Sequence, residues 1–252
     1  MENERPLVST TQTSFRIIET IRDNPGLGVS ALARRVDLSK SAVHKHVSTL
    51  VEINYLVREG NEYYLSNRFL SLGNRARERL PLNVAAKLVN DLAETTGHTT
   101  MYMVPENDRG VYTFCSSPHG ETPDDISEGE VVPLHATAGG KAILSFYSKD
   151  RQDSIIQSTG LTQYTDKTIT DERKLKRELQ SIRDQRVAYD REEYLNGQQC
   201  VASPVIKSNG EPVAAVSVTG STQRMSGKHL EVEVAGLVAS AAKSVGNELL
   251  SR

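Results

Sequence analysis

The sequence predicts an α+β protein built from an N-terminal winged helix-turn-helix and a larger domain with an antiparallel sheet. Three observations carry this. Residues 27–50 read as two short helices about a tight turn, the second of them basic. Two short alternating segments, Tyr55-Leu56-Val57-Arg58 and Tyr63-Tyr64-Leu65, follow at hairpin spacing around Glu59-Gly60-Asn61-Glu62. Beyond Pro81, helical and strand-like segments are mixed, and three strand-like runs gather between 187 and 219 ahead of a last amphipathic helix.

The length of 252 residues suits one large domain or two modest ones. With 37% hydrophobic and 25% charged residues and no low-complexity tract, the composition is that of a globular protein. The net charge of −2 hides an asymmetry. Residues 1–80 carry 12 Lys and Arg against 9 Asp and Glu, whereas residues 81–252 carry 18 against 23. A basic head on an acidic body suits a DNA contact made by the head alone. The two cysteines, Cys115 and Cys200, have no metal-type spacing, and no charged-then-apolar segment opens the chain. No apolar run approaches the roughly 18 residues of a membrane span. The expectation is therefore a cytoplasmic protein without disulfide framework, metal, cofactor or membrane partner.

In chain order, residues 11–22 place Phe15, Ile18 and Ile21 on one helical face, and Asn24-Pro25-Gly26 stops that helix. Ser30 is a candidate cap for the next helix, whose Leu32, Ala33 and Val36 turn inward. Asp37-Leu38 makes the turn, Ser39 is the N-cap of the third helix, and Val43, Val47 and Leu50 form its buried stripe. The hairpin completes the wing. Residues 67–80 read as an arginine-bearing helix. The pattern divides the chain into a DNA-binding domain at 1–66, a linker helix at 67–81 and a second domain at 82–252. In the latter, helices are expected over 82–95, after His135, near 150–158, over 171–185 and over 229–250. Strands are expected near 99–104, 111–115, 187–194, 199–206 and 212–219, with a loop over 116–127.

With its apolar stripe buried, the third helix presents Lys40, Ser41, His44, Lys45 and Ser48, beside the capping Ser39. These are donors and short polar groups suited to phosphates and base edges. Arg34 and Arg35 on the preceding helix and Arg58 in the wing can hold the DNA backbone. The alternative is a solvated, mildly basic helix that serves a protein contact. His46, three residues from Val43, reads as packed against the core rather than as a base reader.

Three segments of the second domain look chemically purposeful. In Val131-Val132-Pro133-Leu134-His135-Ala136-Thr137-Ala138-Gly139-Gly140-Lys141-Ala142 a strand runs into small residues that open a helix, leaving backbone N–H groups unobstructed for a carboxylate or phosphate. Asp190-Arg191-Glu192-Glu193-Tyr194 is followed by Cys200-Val201-Ala202-Ser203-Pro204. In Ala214-Ala215-Val216-Ser217-Val218-Thr219-Gly220, strand alternation puts the Ser217 and Thr219 hydroxyls on one face. A Cys200 nucleophile with His135 as base and Asp190 as orienter can be imagined, as can a metal on the same three residues, yet nothing in the spacing demands either. A half-buried polar cluster without a ligand is the remaining reading.

Taken together, these residues resemble the IclR-type transcriptional regulators over residues 10–250. The most specific likenesses are Leu134-His135-Ala136-Thr137-Ala138-Gly139-Gly140-Lys141-Ala142, Asp190-Arg191-Glu192-Glu193 and Cys200-Val201-Ala202-Ser203-Pro204-Val205. The resemblance implies a second domain of GAF/profilin-like α+β fold that binds a small-molecule effector. Backbone donors would come from Ala138 and Gly139, polar side chains from Asp190, Cys200, Ser217 and Thr219, and apolar contact from Val132. It further implies a homodimer or dimer of dimers on a palindromic double-stranded operator, and no enzymatic activity. Where the family usually carries arginine this chain has Lys45, which keeps the charge and loses the bidentate fork. Where an apolar residue is usual it has His46. Ala138-Gly139 replaces a common Gly-Ala order, and Thr219 stands where serine is frequent, its methyl narrowing the pocket. The helix-start donors favour a carboxylate and Asp190 a hydroxyl or hydrated carbonyl, so a hydroxy, keto or other carboxylic acid satisfies both. The reading from another class is a small-molecule enzyme or sensor with a protein-interacting N-terminal module.

Overall fold

A computed structural model describes residues 7–80, 82–118 and 126–250, and the chain separates into two compact units, Met1–Leu80 and Pro81–Arg252. The part of the expected 116–127 loop that spans 119–125 lies outside the described residues, as does Pro81.

In the first unit, α1 (Ser9–Asp23), α2 (Val29–Arg35) and α3 (Lys40–Glu52) pack around one apolar centre, followed by β1 (Leu56–Glu59), β2 (Glu62–Leu65) and α4 (Arg68–Arg77). The centre is formed by Ile17, Ile18 and Ile21 of α1, Leu32 and Ala33 of α2, and Val43, Val47 and Leu50 of α3. Two details differ from the sequence reading. Phe15 is 56% exposed, because the buried stripe of α1 centres on Ile17 and Ile21, and Phe15 sits roughly 200° around the helix from Ile17. Ser30 lies inside α2, whose N-cap is Gly28 in extended conformation. The entry to α2 is set by the wing: Leu27 bridges Tyr63, with the Tyr63 N–H donating to the Leu27 carbonyl at 3.1 Å and the Gly26 N–H to the Tyr63 carbonyl at 3.3 Å. Gly28 fits there because a Cβ would stand 3.0 Å from the Asn61 carbonyl. Ser39 does cap α3, accepting from the Ala42 N–H at 3.2 Å. The hairpin closes on Glu59 opposite Glu62, leaving Gly60-Asn61 as its two-residue turn, with Gly60 at φ +60°.

The second unit runs α5 (Leu82–Thr96), β3 (Thr99–Glu106), β4 (Arg109–Ser116), β5 (Val131–Val132), α6 (Ala138–Leu144), α7 (Lys149–Thr159), α8 (Glu172–Gln185), β6 (Ala188–Arg191), β7 (Gln198–Ile206) and β8 (Pro212–Ser221). A π-helical turn, His229–Val234, then leads into α9 (Ala235–Leu250), where the sequence suggested one uniform helix. The strands form one antiparallel sheet in the order β5-β4-β3-β8-β7-β6. Helices α5 and α9 pack against each other and the sheet, while α6 packs against β6, β7 and β8 and is backed by α8. Register decides which side chains meet. Thr99, Thr219, Cys200 and Asp190 stand opposite one another across β3, β8, β7 and β6, and Met101, Ser217, Ala202 and Ala188 form the adjacent row. Directly opposed residues share a face, and so do residues two apart along a strand, so both rows look toward α6.

Truncating Ile17 to Ala should cost about 2–5 kcal/mol in urea denaturation of the full chain. Phe15→Ala should change stability by less than about 0.5 kcal/mol, as expected for an exposed side chain.

Candidate nucleic-acid interface and ligand cleft

Every polar residue expected on the outer face of α3 is exposed: Ser39, Lys40, Ser41, His44, Lys45 and Ser48. Ser39 and Ser41 hydroxyls lie 3.1 Å apart, and His44 Nδ1 lies 3.4 Å from the Ser48 hydroxyl. Among the described residues neither Lys40 nor Lys45 is held in an ion pair, so both ammonium groups are available to phosphates. His46 is half-buried, its Nδ1 2.9 Å from the Ser14 hydroxyl on α1, which makes it a packing contact between helices. Arg34 and Arg35 are exposed, and Arg35 donates to the Asn24 side chain at 3.2 Å. Arg58 folds back over its own turn, donating to the Gly60 carbonyl at 2.8 Å and the Asn61 side chain at 3.4 Å. Its charge is at the wing tip, while its Nε and one Nη serve the hairpin.

In the second unit the row Thr219, Cys200 and Asp190 meets the start of α6 in one narrow cleft of about 20 Å³, with Met101, Tyr112 and Tyr194 closing its sides and Gln198 and Gln199 at its rim. That space holds about one water. Of the seven residues expected there, Ala138, Asp190, Cys200 and Thr219 line it. Val132, Gly139 and Ser217 are buried beside the cleft without lining it. Gly139 is pressed by the Met103 side chain, 3.1 Å from where a Cβ would stand. The Ser217 hydroxyl, 1% exposed, faces the Cys200 thiol and has no oxygen or nitrogen partner among the described residues. The Thr219 hydroxyl donates to the Gln199 carbonyl at 3.2 Å. Thr137 caps α6 by accepting from the Gly140 N–H at 3.2 Å, and the first backbone bond runs from Lys141 N–H to the Thr137 carbonyl. The N–H groups of Ala138 and Gly139 precede that bond and have no partner within the helix.

Asp190 ends the row on a tight turn. Its Oδ1 accepts from the Glu193 N–H at 2.6 Å and the Tyr194 N–H at 3.3 Å. Burial raises its carboxyl to about 7, the Glu193 carboxylate adds to the rise, and the two N–H bonds and the Lys141 charge oppose it. Glu193 in turn holds Lys141: Oε1 accepts from Nζ at 2.5 Å, and Glu178 of α8 lies 3.8 Å from the same ammonium. Lys141 is fully buried, and Glu193 Oε2 is buried with no partner among the described residues. Burial raises the Glu193 carboxyl against the pull of Lys141. Sequence reasoning assigned no role to Lys141 or Glu193. The available signal was a lone lysine in Ala138–Leu144, a helix otherwise of small and apolar residues.

The imagined catalytic set fails chemically. Burial, reinforced by Asp190, pushes the Cys200 thiol up, away from the thiolate that a nucleophile needs. His135 spends its Nε2–H on the Thr162 carbonyl at 3.0 Å, and burial lowers its pKa. Among the described residues no three His, Cys, Asp or Glu side chains gather to hold a metal, and no helix is long and apolar enough to cross a membrane.

A winged unit with an exposed cationic third helix, in one chain with an α+β sheet domain, defines the class: a winged-helix DNA-binding protein with a companion domain. Comparison with known proteins narrows it. Residues 78–247 match the family described as bacterial transcriptional regulator IclR C-terminal, and residues 10–57 match the winged helix-turn-helix DNA-binding family. The chain belongs to the IclR family and is a DNA-binding transcriptional regulator of that type. It is 28% identical over 246 residues to the HTH-type transcriptional regulator KdgR of Escherichia coli K12, covering 96% of this chain and 94% of that protein. The crystal structure of the Thermotoga maritima IclR superposes with a TM-score of 0.78 at 29% identity, covering 96% and 98% of the two chains. A double mutant of the inducer-binding domain of the PobR transcription factor from Acinetobacter, in complex with 3-hydroxybenzoic acid, gives a TM-score of 0.62 at 29% identity over 67% of this chain and 98% of that one. These relatives are regulators, not enzymes.

Removing one partner of the buried pair strands the other charge. Lys141→Met should therefore cost about 3–5 kcal/mol in urea denaturation, and adding Glu193→Leu should recover most of that loss. Asp190 gives a pH signature. Its native pKa, about 7, lies above the unfolded value of 3.8, so its contribution to stability is complete below pH 3.8 and is lost as pH rises to about 7. Relative to Asp190→Asn, the wild type should lose up to about 1.4 kcal/mol per pH unit across that window.

Proposed function

We propose that residues 1–66 read a palindromic operator, that residues 67–81 link the halves, and that residues 82–252 bind a small hydroxy, keto or other carboxylic acid that modulates DNA binding. The chain would act in the cytoplasm as a homodimer or dimer of dimers. On the DNA side, Ser39, Lys40, Ser41, His44, Lys45 and Ser48 face the groove, with Arg34, Arg35 and Arg58 on the backbone. Two-fold pairing of the protein would require two-fold half-sites one or more helical turns apart.

The observation that carries the ligand reading is the convergence of Ala138, Asp190, Cys200 and Thr219, from four separate elements, on one cleft. It gains support from the bound 3-hydroxybenzoic acid in the PobR domain, a relative of matching fold. Val132, Gly139 and Ser217 are buried outside this lining, and would join it only if the cleft widened. The acid modulates DNA binding only if the DNA-competent and incompetent states bind it with different affinity.

Fluorescence anisotropy on DNA from the chain's own upstream region, across a salt series, tests the DNA half. Lys45→Ala should weaken binding and reduce the salt slope by about 1, while leaving any ligand-induced thermal shift intact. Salt-independent binding, or an unchanged slope in the variant, would contradict the assignment of α3. For the ligand half, a thermal-shift screen against organic acids should give a hit worth about 2.7 kcal/mol at 100 times Kd, lost in Asp190→Ala.

A further inference from the structure

The charge around the cleft narrows the acid to a particular class, an inference that rests on the ligand-binding proposal for residues 82–252. Asp190 is the one charged side chain among the described residues that line the cleft. The groups facing it are Glu193 and Tyr194 on its own turn, Lys141 on α6, Cys200 on β7 and Tyr112 on β4. Only Lys141 is cationic. It is fully buried, bound to Glu193 at 2.5 Å and flanked by Glu178 at 3.8 Å. With Asp190 and Glu193 both ionised, two buried carboxylates face one ammonium. A ligand carboxylate would add a further negative charge to a largely buried cleft with no free cation among the described residues, and like charges a few ångströms apart cannot all stay ionised.

A single proton resolves this. Asp190 Oδ1 is committed to two backbone N–H groups, whereas Oδ2 has no hydrogen-bond partner among the described residues. A proton on Oδ2 removes the repulsion and turns Asp190 into a donor to the incoming carboxylate, a charge-assisted O–H···O⁻ bond of the stronger kind. We infer that the cleft takes a small organic acid as a monoanion together with one proton from solvent, shared between the ligand carboxylate and Asp190, and that it rejects di- and tricarboxylates. Among the described residues, a second ligand carboxylate would find neither a cation nor a second proton-sharing partner. The raised carboxyl of Asp190, about 7, puts that proton within reach at neutral pH.

The opposite arrangement, in which a ligand hydroxyl donates to an ionised Asp190, has the opposite pH dependence. Proton sharing makes affinity fall about tenfold per pH unit above the Asp190 pKa, whereas hydroxyl donation makes it rise up to that pKa and then level off.

The test uses the full chain and calorimetry with three monocarboxylates (3-hydroxybenzoate, pyruvate and lactate), each paired with a dicarboxylate counterpart (5-hydroxyisophthalate, oxaloacetate and malate). The expected result is that any monocarboxylate that binds loses about tenfold in affinity from pH 7.5 to 8.5 and takes up about one proton, read from buffers of different ionisation heat. Its dicarboxylate counterpart should bind at least about tenfold more weakly, and Asp190→Asn should bind with pH-independent affinity. Proton uptake and the mono/di comparison need only the wild-type chain, so a poorly folded variant would not blunt the test. Equal binding of a dicarboxylate, or pH-flat binding without proton uptake, overturns this inference and leaves the organic-acid reading standing. Binding by none of the six acids removes both.

Discussion

The ion pair between Lys141 and Glu193 is the constraint around which the second unit is arranged. It ties α6, which supplies the Thr137-capped start of the cleft, to the turn after β6, which supplies Asp190 and Tyr194. A fully buried ammonium is tolerable only against a carboxylate in good geometry, so the position of one element dictates the other. The same turn is fastened from outside. The Thr165 hydroxyl donates to the Glu192 carbonyl at 2.6 Å and the Thr168 hydroxyl to the Glu193 carbonyl at 2.6 Å, while Lys167 pairs with the Glu192 carboxylate. Asp190 is thus held by a side chain of α6 and by hydroxyls of the α7–α8 connection, and its two backbone N–H bonds follow from that placement.

The sheet does the rest by register. Three consecutive strands, β6, β7 and β8, together with the remote β3 present Asp190, Cys200, Thr219 and Thr99 in one row, and a one-residue slip in any of them would turn its member of the row to the α5–α9 side. The sheet comes close where α6 approaches: a Cβ on Gly139 would stand 3.1 Å from the Met103 side chain of β3 and 3.7 Å from the Ala215 Cβ of β8. Close approach of this kind is what leaves the cleft with room for little more than a water.

How much of this could be read from the chain differs between the two units, for a physical reason. The first unit is local. Periodic stripes such as Val43, Val47 and Leu50, the cap at Ser39 and the Gly60-Asn61 turn act within a few residues of themselves, so the elements and the exposed face of α3 were legible. The misreadings there, Phe15 and the cap of α2, both arose from longer-range packing: which isoleucines the core selects, and the pairing of Leu27 with Tyr63. In the second unit the strands were legible, but the cleft depends on which strands are neighbours. Asp190, Cys200 and Thr219 were nameable through the family resemblance, whereas Tyr112 and Met101 reach the site only through the order β4-β3-β8-β7. Lys141 and Glu193 were visible as letters within recognised motifs. Their pairing across 52 residues was not, because a lysine in a short helix is ordinarily a solvated residue.

The small volume of the cleft sets the terms on which a ligand can act. An organic acid is larger than one water, so under the ligand-binding proposal the cleft would have to widen to hold one. The rows across β8 and β7 are fixed by a continuous ladder and cannot widen without breaking it. The walls outside that ladder are the start of α6 and the turn at Glu192–Tyr194, joined to each other by the buried ion pair. A ligand that separated them would work against that pair, beside Asp190, whose charged form the Glu193 carboxylate disfavours and Lys141 favours. On that proposal, ligand binding, the protonation of Asp190 and the spacing of α6 from the β6 turn would form one linked equilibrium. The free energy available to bias DNA binding is limited to the difference in ligand affinity between its states.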